Sequence, residues 1–197
     1  MSPTVTALAG ALRQEFSTLA YARAEFPMLT RWGVPDFSQT VHSLGCSYLC
    51  GLGRHLGHWA VTEWPVALPS PMEGGTTVRL DATWWDKEPG EPACLLAEFE
   101  RIDGTAPAKL AGKARNLLAA HRALPAAPRL LLLMGWKTYG APAPSASAVR
   151  QVMADGCTGD DGRMIKGLGG NSAFVFAVAD IAVDAKGQHR LHGVTVP

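Results

Sequence analysis

Asp81, Glu98 and Glu100 are carboxylates in stretches that otherwise read as β-strand. Asp is a poor strand former, and burying its charge unpaired is costly. Over 77–85, Val78, Leu80, Ala82 and Trp84 alternate with Thr77, Arg79, Asp81, Thr83 and Trp85, which predicts one strand with two unlike faces and Asp81 in its middle. A polar turn over 86–92, closed by Pro89-Gly90, leads to a second strand over 93–101 that begins apolar and ends charged. Glu98 and Glu100 are two apart, so both side chains leave the same face of that strand. Paired as a hairpin, the two strands bring Asp81 toward the glutamates. Three converging carboxylates repel one another unless a cation neutralises them, and oxygen ligands suit Mg²⁺ or Mn²⁺. The plain alternative is a solvated strand end whose acids pair with Arg79 and Arg101.

The flanking elements must place these acids. A helix from about Pro107 carries Leu110, Ala114, Leu117, Leu118 and Leu124 in one stripe, and His121 in that stripe reads as a core histidine. Lys109, Lys113 and Asn116 border the stripe on one side, Arg115 and Arg122 on the other. Asp103 or Thr105 is its expected cap, and the apolar run 129–136 predicts a fully buried strand after it.

Upstream, 6–26 reads as an amphipathic helix stopped by Pro27, and 32–35 as a linker. A second helix, capped by Asp36 or Ser38, runs to about Leu52 and sets His42, Cys46 and Cys50 on one face, with His55 and His58 following. These are zinc-type ligands, but successive turns of one helix cannot wrap a tetrahedron alone, and free cysteine behaves as a small core residue. Gly45, Gly51, Gly53 and Gly57 are expected to permit close packing and to end the helix. Residues 59–68 alternate as a strand that Pro65 demotes to an edge or bulge, and 69–75 reads as a loop.

Downstream, 141–148 is a loop and 148–154 a short helix. Residues 155–172 form a Gly- and Asp-rich connection. Within it, 167–171 lacks the Gly-Lys-Ser/Thr ending of a phosphate loop and reads as a turn. Two terminal strands, 173–183 and 189–196, turn through Lys186-Gly187.

The 197 residues suffice for one domain with a good core, and 47% hydrophobic with 18% charged residues argues against disorder. A net charge of +1 gives no global pull toward nucleic acid, so any basic surface must be local. Four cysteines without secreted-scaffold spacing, no signal peptide and no membrane-length apolar run lead us to expect a cytoplasmic protein without membrane contact.

The predicted succession, helix, strand, strand with Asp81, strand with Glu98 and Glu100, helix with Lys109 and Lys113, buried strand, resembles the αβββαβ core of the restriction-endonuclease-like PD-(D/E)xK nuclease superfamily. The resemblance covers 38–136, with an N-terminal helical extension (1–37) and a C-terminal strand extension (137–197), all in one α/β domain with a mixed central sheet. Asp81 matches the motif Asp and Glu98 the (D/E). Leu80 replaces the preceding Pro, and Glu100 stands at the Lys position. The resemblance implies that Asp81 and Glu98 hold Mg²⁺ or Mn²⁺ and that Glu100 completes the metal shell or accepts a proton from water. Lys113, or else Lys109, then supplies the displaced basic group from the helix. Nucleic acid is the implied partner, with Trp84 and Trp85 as candidate base-stacking groups, although two aromatics in a strand are more often core, and a homodimer is compatible with it. The superfamily also includes members without catalysis, so a binding-only protein is the rival reading. A small-molecule enzyme built on the glycine-rich loop is a third.

Overall fold

Strands that are apolar on both sides form the centre of the sheet, because helices cover both faces. β6 (Ala93–Arg101) and β7 (Leu130–Thr138) are buried along nearly their whole length. β7 pairs in parallel with β6 and with β10 (Ala173–Val183). The two parallel steps are made by crossover helices, α4 (Ala106–Ala123) and α5 (Ser147–Asp155). Antiparallel strands extend the sheet on both sides. Beyond β10 lie β11 (Gln188–Thr195) and β1 (Val34–Pro35); beyond β6 lie β5 (Ala82–Trp85) and β2 (Trp59–Val61). The order is β1-β11-β10-β7-β6-β5-β2, a mixed seven-stranded sheet. The computed structural model describes residues 4–36, 39–69, 77–88, 90–102, 106–159 and 162–197. Ser38, the 70–75 part of the expected loop, Pro89, Asp103 and Thr105 lie outside the described residues.

Each face has its own core. α1 (Val5–Thr18), α2 (Ala20–Glu25) and α3 (Thr40–His55) bury Leu12, Phe16 and Leu49 against Trp84, Phe99 and Leu132. α4 and α5 bury Leu110, Leu117 and Met153 against Leu96, Leu131 and Phe176. α3 lies unusually close to the sheet: a Cβ at Gly45 would stand 2.1 Å from the Phe99 ring, and one at Gly53 2.7 Å from Trp84.

Several elements differ from the sequence expectation, each for a local reason. The N-terminal helix breaks at Leu19, which takes a left-handed conformation at φ 53°. The buried Glu15 carboxylate then accepts the Tyr21 and Ala22 N–H groups at 2.9 and 3.0 Å and caps the next helix. α2 does end before Pro27, as expected, but Pro27 then opens a π-helical turn, Met28–Trp32. Val34–Pro35, expected as linker, pairs with β11 at the sheet edge, where proline's missing donor is tolerated. α3 runs on to His55, and near its start Asp36 Oδ1 accepts the Val41 N–H. The glycine-rich connection contains a small hairpin, β8 (Cys157–Thr158) with β9 (Met164–Ile165).

The largest departure concerns the strands expected over 59–68 and 77–85. Both are interrupted. The first becomes β2 and β3 (Trp64–Ala67), the second β4 (Thr77–Leu80) and β5. β3 pairs with β4 in the same register in which β2 pairs with β5, so the four pieces form one long ribbon bent at a single level. At the bend, Glu63 is left-handed at φ 54° and lies across from Asp81. That conformation costs a non-glycine residue on the order of 1 kcal/mol. The bend also exchanges faces. Val78 and Leu80 pack with α4, whereas Ala82 and Trp84 pack with α3, instead of all four sharing one face.

Candidate functional site

Asp81 occupies the bend, so its side chain is not committed to either strand face. One step beyond the paired residues Ala82 and Ala97, it lies beside Glu98. Its Oδ2 accepts the Phe99 N–H at 2.7 Å, and its Oδ1 stands 3.5 Å from His42 Nε2, on α3. Burial alone would raise the Asp81 pKa. The His42 contact, the Phe99 N–H and Lys113 outweigh it and hold the carboxyl below its ordinary value. The same contact raises His42, against the opposing effect of burial.

Glu98 is fully buried on β6. Its Oε2 meets Lys113 Nζ at 2.7 Å, while Oε1 has no hydrogen-bond donor among the described residues. Burial and then the neighbouring Asp81 push its pKa well above the usual carboxylate range, and Lys113 offsets only part of this. Burial works against the Lys113 charge, but Glu98, Asp81 and Glu100 together keep its pKa above the ordinary value. Glu100 leaves the same face as Glu98, pairs with Lys109 at 2.6 Å and lies 3.8 Å from Lys113. The structure thus brings Asp81, Glu98, Glu100 and Lys113 together, with Lys109 at the rim. Lys113 reaches in to the sheet, while Lys109, one turn earlier on α4, pairs with Glu100 and stays exposed at the rim.

Beside the acids opens a cavity of about 1010 Å³, lined at one end by Glu100, Lys109 and Lys113. Arg79, Arg115, Arg122, Arg163 and Lys166 complete a lining in which seven cations face one carboxylate. Arg122 is held by the Lys166 and Gly167 carbonyls. Not every base of the 101–129 stretch contributes. Arg101 lies over the Trp136 ring and 3.6 Å from Asp36, and Arg129 is bound to Asp86. Arg79 and Arg101 are therefore not the partners of Glu100 that a solvated strand end would require, although Glu100 Oε1 does accept the Arg101 backbone N–H. Trp84 is fully buried against α3, which corrects its reading as a base-stacking group; Trp85 is half-buried against Trp64. His121 is a core histidine joined to Ser172 at 2.9 Å.

Two groupings were not assembled by the sequence. His42 Nε2 lies 3.5 Å from Cys46 Sγ as well as from Asp81, whereas Cys50, on the same helix face in the sequence reading, does not join them. At the other end of β5, His58, Asp86, Cys94 and Arg129 form a buried network. His58 Nδ1 is 3.2 Å from Asp86 Oδ1 and 3.6 Å from Cys94 Sγ, and Arg129 is 2.6 Å from Asp86 Oδ2. Asp86 reads as a turn residue, and only its place one residue past an aromatic strand hints at burial. Among the described residues no helix is long and apolar enough to cross a membrane. Comparisons of the chain with known protein families, with curated proteins and with solved structures each return no match.

Proposed function

We propose that this protein is a divalent-metal-dependent phosphodiesterase of nuclease type, acting on nucleic acid. The observation that carries this reading is the buried Asp81–Glu98–Lys113 cluster opening, through Glu100, onto a cavity lined by seven basic side chains. Support also comes from connectivity. α3, three antiparallel strands (β2, β5, β6), crossover α4 and parallel β7 follow the αβββαβ order of PD-(D/E)xK nucleases.

The residues fit a cation. Glu98 Oε1 is a buried oxygen without a donor among the described residues, and Asp81 beside it is held below its ordinary pKa. Asp81 and Glu98 would hold the ion, with Glu100 at the cavity side, and all-oxygen ligands suit Mg²⁺ or Mn²⁺. Bound there, the ion supplies Lewis-acid polarisation of a phosphoryl oxygen and activation of water. The cations of the cavity bind the phosphate backbone and give the groove its local charge despite a near-neutral chain. Lys113 places a positive charge where negative charge builds on the phosphate, and Glu100 can accept a proton from the attacking water.

A binding-only protein is the second reading. Its support is that Lys113 already sits 2.7 Å from Glu98 and Lys109 2.6 Å from Glu100, so the acids are neutralised by the chain itself. Incubating the protein with DNA and RNA across a panel of divalent ions separates the two. The nuclease reading expects cleavage that chelator abolishes and that Asp81→Ala eliminates. Glu100→Lys should lower the activity of a nuclease using Glu100, and should create weak cleavage in a binding-only protein. Binding without cleavage under every ion would establish the second reading; neither binding nor cleavage would overturn both.

A further inference from the structure

We infer that the cation position of this site is completed by α3, through His42 and Cys46, and that it selects Zn²⁺ over Mg²⁺. The inference rests on the reading above but replaces its all-oxygen Mg²⁺ or Mn²⁺ with Zn²⁺ and adds two ligands, His42 and Cys46. Its geometry stands apart from any cleavage.

The three donor atoms come from two elements that the fold holds together. His42 and Cys46 are one turn apart on α3, and Asp81 projects from the ribbon bend beneath them. His42 Nε2 is 3.5 Å from Cys46 Sγ and 3.5 Å from Asp81 Oδ1. Zinc bonds of about 2.0–2.1 Å to nitrogen and oxygen and about 2.3 Å to sulfur, at tetrahedral angles, separate neighbouring ligand atoms by roughly 3.4–3.6 Å. Two edges of such a tetrahedron are therefore already formed. One helix could not wrap an ion alone; the bend at Asp81 supplies the ligand that the helix lacks.

The surroundings also favour a cation. Glu98 Oε1, fully buried on the strand beside Asp81 and without a donor among the described residues, adds a second buried carboxylate oxygen next to the three-atom group. The Phe99 N–H fixes the Asp81 carboxylate from its other oxygen, the kind of outer contact that orients a metal ligand. His42 is about one-third exposed along its side chain, which gives an ion a way in. A thiolate, an imidazole and carboxylates suit Zn²⁺ and are poor ligands for Mg²⁺, which demands six oxygens. Binding displaces the Cys46 thiol proton to solvent and leaves sulfur bound as thiolate, with no change of oxidation state.

Co²⁺ is the probe, because a thiolate ligand and tetrahedral geometry both mark its absorption spectrum. The full-length protein, freed of metal by chelator, should take up one equivalent of Co²⁺ with a sulfur-to-cobalt charge-transfer band and intense visible absorption, and Zn²⁺ should displace it. Cys46→Ala should lose the charge-transfer band. His42→Gln should weaken binding by at least about tenfold. Cys50→Ala, one turn further along the same helix, should leave the spectrum unchanged, and circular dichroism confirms that each variant is folded. A spectrum without a thiolate band, or one unaltered by Cys46→Ala, would overturn the inference. It would leave the nuclease reading intact if Mg²⁺ still supported cleavage. Conversely, thiolate-bound Co²⁺ in a protein that cleaves nothing would uphold the zinc site and remove the nuclease reading.

Discussion

Buried aspartates stand at the two ends of β5, Asp81 just before it and Asp86 just after, and their surroundings match in kind but not in use. Each meets a histidine, a cysteine and a cation. Asp81 has His42, Cys46 and Lys113; Asp86 has His58, Cys94 and Arg129. At Asp86 the guanidinium lies 2.6 Å from the carboxylate, and burial, helped by the Arg129 charge, lowers the His58 pKa. Burial pushes the Cys94 thiol up to about 12 and raises the Cys46 thiol at the other end still further, so the thiols do not separate the two ends. At Asp81 the lysine reaches past to Glu98, one glutamate oxygen has no donor among the described residues, and the histidine is raised and partly exposed. The same residue types make a strut where the chain supplies its own cation in contact. They make a candidate site where it does not.

Breaking each aspartate tests this contrast most strongly. Asp86→Ala leaves the Arg129 charge and His58 without their shared carboxylate and should cost about 3 kcal/mol in denaturant unfolding, near the lower end of the range for a broken buried pair because Arg129 is partly exposed. Asp81→Asn keeps an acceptor for the Phe99 N–H and should cost only about 1 kcal/mol, while abolishing metal binding and any cleavage. Equal stability losses would show that both aspartates are struts.

Glu98→Gln sharpens the comparison through pH. Because the folded pKa of Glu98 lies above its unfolded value of about 4.3, the folded state binds the extra proton, so its contribution favours folding at low pH. That contribution is lost as pH rises from the unfolded pKa through the folded one. Glu98→Gln should therefore match or exceed the wild-type melting temperature at neutral pH, with the gain vanishing below about pH 4. Asp81 acts with the opposite sign, losing its contribution as pH falls toward its depressed folded pKa. A variant melting well below wild type at pH 7 would mean that the Lys113 pair dominates and Glu98 is structural. The smallest expected effect is at the sealed end: Cys94→Ala should leave Co²⁺ uptake and its spectrum unchanged, since Arg129 already holds the place of an ion there.

The sequence made much of this architecture readable. The apolar stripe of α4 and the unbroken apolar run of β7 are strong periodic signals, and the terminal hairpin announces itself through its turn. Glu98 and Glu100 share a face because strand periodicity leaves no alternative. The bend at Asp81 was not readable, because alternation continues across it: Val78, Leu80, Ala82 and Trp84 keep a period of two while the backbone exchanges the faces they serve. A left-handed Glu63 carries no compositional mark, since glycine or asparagine would be the expected residue there. For the same reason His42 and Cys46 could be placed on one helix face but not joined to Asp81. Their meeting depends on a contact between elements far apart in the chain.

The dimensions of that meeting are set by residues with no chemistry of their own. Gly45 lies between His42 and Cys46 in the chain and rests on the ring of Phe99, whose own N–H holds Asp81. One missing methyl group therefore works as a spacer: it fixes the height of the helix over the sheet, and with it the gap that an ion would bridge. Gly45→Ala would need the helix or the ring to move, since the new carbon would fall 2.1 Å from a buried aromatic atom. A side chain at this glycine, which offers no donor atom, would thus displace the site without removing any of its ligand atoms.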